Sequence, residues 1–187
     1  MSRRSLRGLS APPERARAFP PVAGPGTRLL ILGSLPGAAS LRAGQYYAHP
    51  QNAFWRLIGA AIGREIAPLP YPDRLAALKA AGVGLWDVIA SAERRGSGDA
   101  AIREAEHAEL ERLVAGLPGL RAIGFNGGTA ARIGRRRLGA CAHRLALIDL
   151  PSSSPAYAAM PFEIKRARWA GLAAFLQDGR CDLPRRC

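Results

Sequence analysis

A chain of 187 residues is long enough for one domain with a substantial core and short for two. Its 27 Lys and Arg against 14 Asp and Glu leave a formal net charge of +13, which points to a polyanion such as nucleic acid ahead of the plainer reading, an Arg-rich, Ala-rich composition with a merely solvated basic surface. No apolar run nears the roughly 18 residues of a membrane span, and the N-terminus has no apolar signal core. Cys141, Cys181 and Cys187 show no C-x-x-C spacing, and His49, His107 and His143 are scattered without an H-E-x-x-H pattern. A cytoplasmic protein without metal or cofactor is therefore expected.

Residues 1–26, rich in Arg, Pro and Gly, read as a basic, disordered arm, residues 27–177 as the folded domain and residues 178–187 as a C-terminal tail. Leu29 to Leu32 form a short buried strand running into the tight turn Gly33-Ser34-Leu35-Pro36-Gly37. A helix from about Asn52 to Ile62 follows Pro50, with Phe54, Trp55, Leu57, Ile58 and Ala61 at helical spacing. Pro68, Pro70 and Pro72 lead to a helix around Asp73 to Ala80, and Val83 to Ile89 reads as a second strand. ASAERRGSGDAAIR is expected as a loop beyond that strand, and Glu104 to Ala115 as a periodic helix. LRAIGFNG repeats the buried strand and glycine turn, and GGTAARIGRRR opens the next helix. RLALIDL supplies a fourth strand before the polar turn LPSSSPAYAAMP, and Phe162 to Leu176 closes the chain as an amphipathic helix.

Strands alternating with helices predict an α/β fold: a three-layer α/β/α sandwich around a central, mainly parallel four-stranded sheet. Right-handed crossovers set all strand C-termini along one edge, where ligands bind. Three of those ends carry polar loops: Ser34 to Asn52, Asn126, and Ser152 to Tyr157.

Those loops narrow the chemistry. GSLPGAAS has no G-K-[ST] and the strand ends hold few carboxylates, which disfavours phosphoryl transfer. The serine run has no glycine elbow, which disfavours acyl transfer. Two amides, Asn52 and Asn126, with the aromatics Tyr46, Tyr47, Phe54 and Phe125, suit a planar heterocycle. An amide reads a base's polar edge while a tyrosine stacks on its face. The hydroxyls of Ser152, Ser153 and Ser154 suit phosphate oxygens.

Each of these residues has a plainer reading too. Asn52 can simply cap a helix, and Asn126 before Gly127 can be an ordinary turn residue. Tyr46 and Tyr47 are adjacent and should point apart, one into the core and one as a platform. His49 reads as a structural partner of its loop, Phe54 and Trp55 as an apolar helical stripe. Trp86 and Asp87 read as strand packing and a strand-end anchor. Ser97 and Asp99 could approach DNA, and Arg135-Arg136-Arg137 could be no more than a solvated helix end.

GSLPG, YYAHPQNAFW and PSSSPA, in this order over residues 28–176, resemble the motifs of the uracil-DNA glycosylase superfamily. The nearest branches are the mismatch-specific uracil/thymine glycosylases and the hypoxanthine (deoxyinosine) DNA glycosylases. The resemblance implies a monofunctional, metal-independent enzyme of base excision repair. Such an enzyme flips a deaminated base, hypoxanthine or uracil, out of DNA and hydrolyses its N-glycosidic bond to leave an abasic site. Where the mismatch-specific enzymes carry a catalytic Asn, this chain has Leu35. The likeness to the hypoxanthine branch therefore implies that catalysis falls on Asn52, with Asn126 as the second functional amide. It also sets Tyr47 at the position of the stacking aromatic; a base contact from Phe125 follows from its place among the aromatics, and one from the Gly33-Ser34-Leu35 backbone from the position of that loop alone. DNA contacts are implied for Ser152, Ser153, Ser154, Pro155, Ala156 and Tyr157. A monomer acting on DNA is expected. The alternatives are a noncatalytic DNA-binding protein on the same fold and an enzyme for free nucleosides.

Overall fold

The computed structural model describes residues 15–94 and 102–177. Residues 1–14, the tail 178–187, and Ser97 and Asp99 lie outside the described residues. The chain runs β1 (Arg15–Arg17), β2 (Leu29–Gly33), α1 (Ala38–Ala43), α2 (Phe54–Ile62), α3 (Tyr71–Ala80), β3 (Val83–Asp87), β4 (Ile89–Arg94), β5 (Ile102–His107), α4 (Leu110–Ala115), β6 (Ala122–Asn126), α5 (Gly128–Arg137), β7 (Ala146–Leu150) and α6 (Phe162–Ala170). Short 3-10 turns follow α5 and α6.

The central sheet is parallel, in the order β3-β2-β6-β7, as the alternating pattern predicts. Every residue of β2 is buried, because each face of a sheet covered on both sides must be apolar. Successive residues take opposite faces. Leu30 and Leu32 pack with Ile123, Phe125, Ala130 and Val114 beneath α4 and α5, whereas Leu29 and Ile31 pack with Phe54, Leu57, Ile58, Leu78 and Trp169 of α2, α3 and α6. These two cores make the three layers.

Three expectations give way. Residues 15–26 do not all belong to a loose arm: β1 pairs with β4, Val22 bridges Leu85, and the phenol of Tyr46 and the indole of Trp86 both reach Phe19 O. The segment read as a loop contributes β4. The stretch read as one helix from Glu104 begins as β5, and α4 starts only at Leu110. Together β1, β4 and β5 form a small antiparallel sheet, kept in place by Arg15 between Ser91 and Glu106. That tertiary pairing overrides the helical preference of Glu104, Ala105 and Glu106.

The parallel register lines up the strand ends. Gly33 sits opposite Asp87, and Asn126 opposite Leu150. The chain leaves these ends into the loops before α1, before α5 and before α6, and those loops enclose the site.

Candidate active site

A cavity of about 480 Å³ opens over the C-terminal ends of β2, β3 and β6. It collects Gly33, Ser34, Leu35, Tyr47, Asn52, Asn126 and the turn 152–157, together with Tyr46, His49 and Asp87. Loops remote in sequence thus meet at one place.

Ser153 ties them together. Only 2% exposed, it donates its backbone N–H to Asn126 Oδ1 at 2.8 Å, and its hydroxyl accepts from Asn126 Nδ2 at 2.9 Å. Its carbonyl accepts the Ala53 N–H at 3.0 Å. The β6 end, the turn after β7 and the entry to α2 therefore share one residue. Gly127 allows this approach: its φ is +99°, and a Cβ there would press on Ser152 Cβ at 3.2 Å.

These bonds settle the orientation of both amides. Because Asn126 Oδ1 takes a backbone N–H, the nitrogen is Nδ2; one of its hydrogens goes to Ser153, and the other is the group Asn126 can offer the cavity. Asn52 Oδ1 accepts the Phe54 N–H at 3.0 Å, so the helix-capping role and the cavity position belong to the same side chain. An amide oxygen has a second lone pair, so the cap does not exhaust it. The Asn52 N–H is itself held by His49 O at 2.8 Å, and His49 Nδ1 accepts from Gln51 N, which makes His49 a partner of its loop.

The two tyrosines divide their work as adjacency suggests. Tyr46 is 3% exposed and packs edge-on against Phe19. Tyr47 is half-buried and lies flat on Phe54, with centroids 3.7 Å apart and planes 12° off parallel. Its φ of 53° is left-handed, a conformation that costs a bulky residue on the order of 1–3 kcal/mol and is kept only where the surroundings impose it. Burial, and the negative charge of Asp87, push both phenols well above the ordinary tyrosine range; the Asn126 amide pulls Tyr47 weakly the other way.

Other predicted residues are placed differently. Phe125 is fully buried and packs under α5, away from the cavity; Asn126 takes the opposite face because neighbours in a strand alternate. Leu35 borders the cavity but is 7% exposed and joins the core, and the carbonyls of Gly33 and Ser34 already accept from Val88 and Ile89. Ser153 is internal, whereas Pro155, Ala156 and Tyr157 form an exposed rim. Ser152 and Ser154 each use a hydroxyl oxygen to tighten the turn, accepting from Ser154 N and Ala156 N.

Asp87, read above only as a strand-end anchor, and Lys165, not singled out, also belong to the surroundings of the cavity. Asp87 stands on the cavity floor at 3% exposure. Lys165, itself 6% exposed, holds the rim from α6 by donating to Tyr157 O at 2.6 Å, and desolvation lowers its pKa. A carboxylate closing a buried strand was the available signal for the first; nothing local marked the second. Among the described residues no three His, Cys, Asp or Glu side chains gather as metal ligands, and no helix is long and apolar enough to cross a membrane.

Comparison with known proteins identifies the family. The chain is 44% identical over 113 residues to a hypoxanthine DNA glycosylase of Methanosarcina barkeri, an overlap of 60% of this chain and 72% of the relative. It is 45% identical over 111 residues to the hypoxanthine DNA glycosylase of Methanosarcina acetivorans, covering 59% and 70% of the two chains. The solution structure of a candidate uracil DNA glycosylase from Methanosarcina acetivorans superposes with a TM-score of 0.78 at 36% identity, over 88% of this chain and all of that one. The profile of the Uracil DNA glycosylase superfamily matches residues 20–173, most of the chain and every element of the site, and the chain belongs to that superfamily.

Proposed function

We propose that this chain is a monofunctional DNA glycosylase that excises a deaminated base, hypoxanthine foremost, and leaves an abasic site. The observation that carries this reading is the placing of Asn52 and Asn126 in one cavity, each turned by a backbone hydrogen bond. The names of its relatives favour hypoxanthine.

A base flipped from the duplex enters over the strand ends, one face against the Tyr47 ring, which Phe54 backs. Cleavage breaks the bond from C1′ to the base through an oxocarbenium-like sugar, so stabilising charge matters more than a strong nucleophile. The second lone pair of Asn52 Oδ1 accepts a hydrogen from water and turns the water oxygen toward C1′. The remaining N–H of Asn126 donates to the base as negative charge builds there. The new C1′–O bond replaces the C1′–N bond, and the water's proton ends on the departing base.

Ser152, Ser154 and the backbone of the rim turn lie against the phosphates, with Pro155, Ala156 and Tyr157 at the gap left by the extruded nucleotide. The net charge of +13 draws in the DNA. No lysine lines the cavity among the described residues, so strand cleavage through a Schiff base is not expected. One chain carries every group named, and the protein acts as a monomer.

A panel of otherwise identical duplexes carrying hypoxanthine, uracil, xanthine or a thymine mispair, scored for alkali-sensitive abasic sites, tests the reading. Hypoxanthine should give the fastest release; release from none of them would refute it.

A further inference from the structure

The turn after β7 is fastened to α6 at two points. The buried indole of Trp169 donates to Pro151 O at 3.0 Å, where the turn begins, and the Lys165 ammonium donates to Tyr157 O at 2.6 Å, on the exposed rim. Residues four apart share a helix face, so α6 presents both donors on one side. Between these points the turn is stiffened from within. Ser152 Oγ accepts from Ser154 N, Ser154 Oγ from Ala156 N, and Ser154 O from Tyr157 N.

The two fastenings differ in kind. Trp169 is an apolar body with one donor and suits a core. Lys165 is just as buried, yet no Asp or Glu pairs with it among the described residues. Its ammonium meets the Tyr157 carbonyl and, 4.9 Å away, the Tyr157 ring. A buried ammonium without a counter-charge is destabilising, and desolvation lowers its pKa accordingly. An apolar side chain of the same length would fill the space more favourably, so the charge answers to something other than stability. Both of its contacts hold Tyr157, one through the main chain and one through the ring.

Tyr157 is 40% exposed and, with Pro155 and Ala156, borders the cavity. Drawing a base out of a duplex breaks stacking and pairing, and the gap closes again unless something occupies it. A rim already held in shape can enter that gap directly, whereas a loose one must be ordered at every encounter.

We infer that Lys165 is a positioning residue for base extrusion: from α6 it holds the Tyr157 edge of the rim in the shape that enters the gap left by the flipped nucleotide. The inference rests on the glycosylase reading above. Lys165 does not line the cavity and acts only through the rim.

The test compares single-turnover release of hypoxanthine from two duplexes of one sequence. In the first, hypoxanthine lies opposite cytosine and must be drawn out of a pair; in the second it lies opposite a tetrahydrofuran abasic analogue and has no partner. Lys165→Met, similar in length and uncharged, should slow release from the paired duplex about tenfold or more, the scale of one hydrogen bond from a charged group. Release from the unpaired duplex should fall by no more than about threefold. Both rates scale with the folded fraction, so a general loss of stability leaves their ratio unmoved. Lys165→Leu, smaller and without a donor, repeats the comparison.

A second readout needs no cleavage. 2-Aminopurine is placed 3′ to a paired hypoxanthine on 2′-fluoroarabinose, whose fluorine blocks hydrolysis, and it brightens when its neighbour leaves the stack. Saturating wild-type protein should raise the fluorescence, and the saturating variants should leave it near that of free duplex. Paired and unpaired rates changed alike in both variants, or a full fluorescence rise with either, overturns the role of Lys165. Wild-type protein that opens the duplex but releases no base defeats the glycosylase reading and leaves Lys165 judged by the fluorescence. Wild-type protein that does neither defeats both.

Discussion

Asn126 and Ser153 hold each other by two hydrogen bonds, Nδ2 to Oγ at 2.9 Å and backbone N to Oδ1 at 2.8 Å. Asn126→Ala strands a buried N–H, so it should lower stability by about 1–3 kcal/mol and abolish most base release, with a shifted base preference. Ser153→Ala removes one acceptor and lets the Asn126 amide turn, and should also slow excision. A double-mutant cycle read by denaturant unfolding should give a coupling on the order of 1 kcal/mol. Wild-type turnover by Ser153→Ala would show that the pair does not orient the amide.

Tyr47 stacks one ring face on Phe54 and lines the cavity. Tyr47→Ala should cost about 1–3 kcal/mol of stacking, seen as slower single-turnover excision. The loss should be smallest for mispaired bases, whose extrusion is easiest. An equal loss for paired and mispaired bases would argue against a stacking role.

How much of this was legible beforehand depended on distance along the chain. β2, β6 and β7 announced themselves as apolar runs ending in Gly, Asn or Pro, and α2 by the spacing of Phe54, Leu57, Ile58 and Ala61. The amides and Tyr47 stood in local motifs. β5 was hidden because Glu104, Ala105 and Glu106 favour helix locally and become strand only by pairing with β4. Phe125 was misplaced for a simple reason of parity, and Asp87 was undervalued because its neighbours Gly33 and Tyr47 come from another strand and another loop.

Gly33 has no room for a side chain. Gly33→Ala would set a Cβ 2.6 Å from Asp87 Oδ1, and overpacking of this kind costs about 1–3 kcal/mol. Displacement of Asp87 and Tyr47 should reduce excision more than stability. The check is base release compared with melting temperature; a folded variant with full activity would contradict the crowded floor.

Alkaline titration offers a test free of substrate. Tyr46, Tyr47 and Tyr71 are all raised, by burial first and, for Tyr46 and Tyr47, by Asp87 next. A raised folded-state pKa means that the native protein holds its protons longer than the unfolded chain. The stability this contributes is complete below the unfolded value of about 10 and is lost as pH rises above it. Of the chain's 4 tyrosines, these three should lag in phenolate absorbance until the protein unfolds. Ionisation of all of them near pH 10 in the folded protein would contradict the packing.

The central claim is that Asn52 performs chemistry as well as capping α2. Single-turnover base release from a hypoxanthine duplex by wild type, Asn52→Ala and Asn52→Ser tests it most directly. Serine can still cap the helix but is too short to hold the water, so it should recover the roughly 1 kcal/mol of stability lost in the alanine variant. Both variants should bind DNA and release base about a hundredfold more slowly than wild type, or worse. Turnover by Asn52→Ser within a few-fold of wild type would reduce Asn52 to a cap and contradict the account.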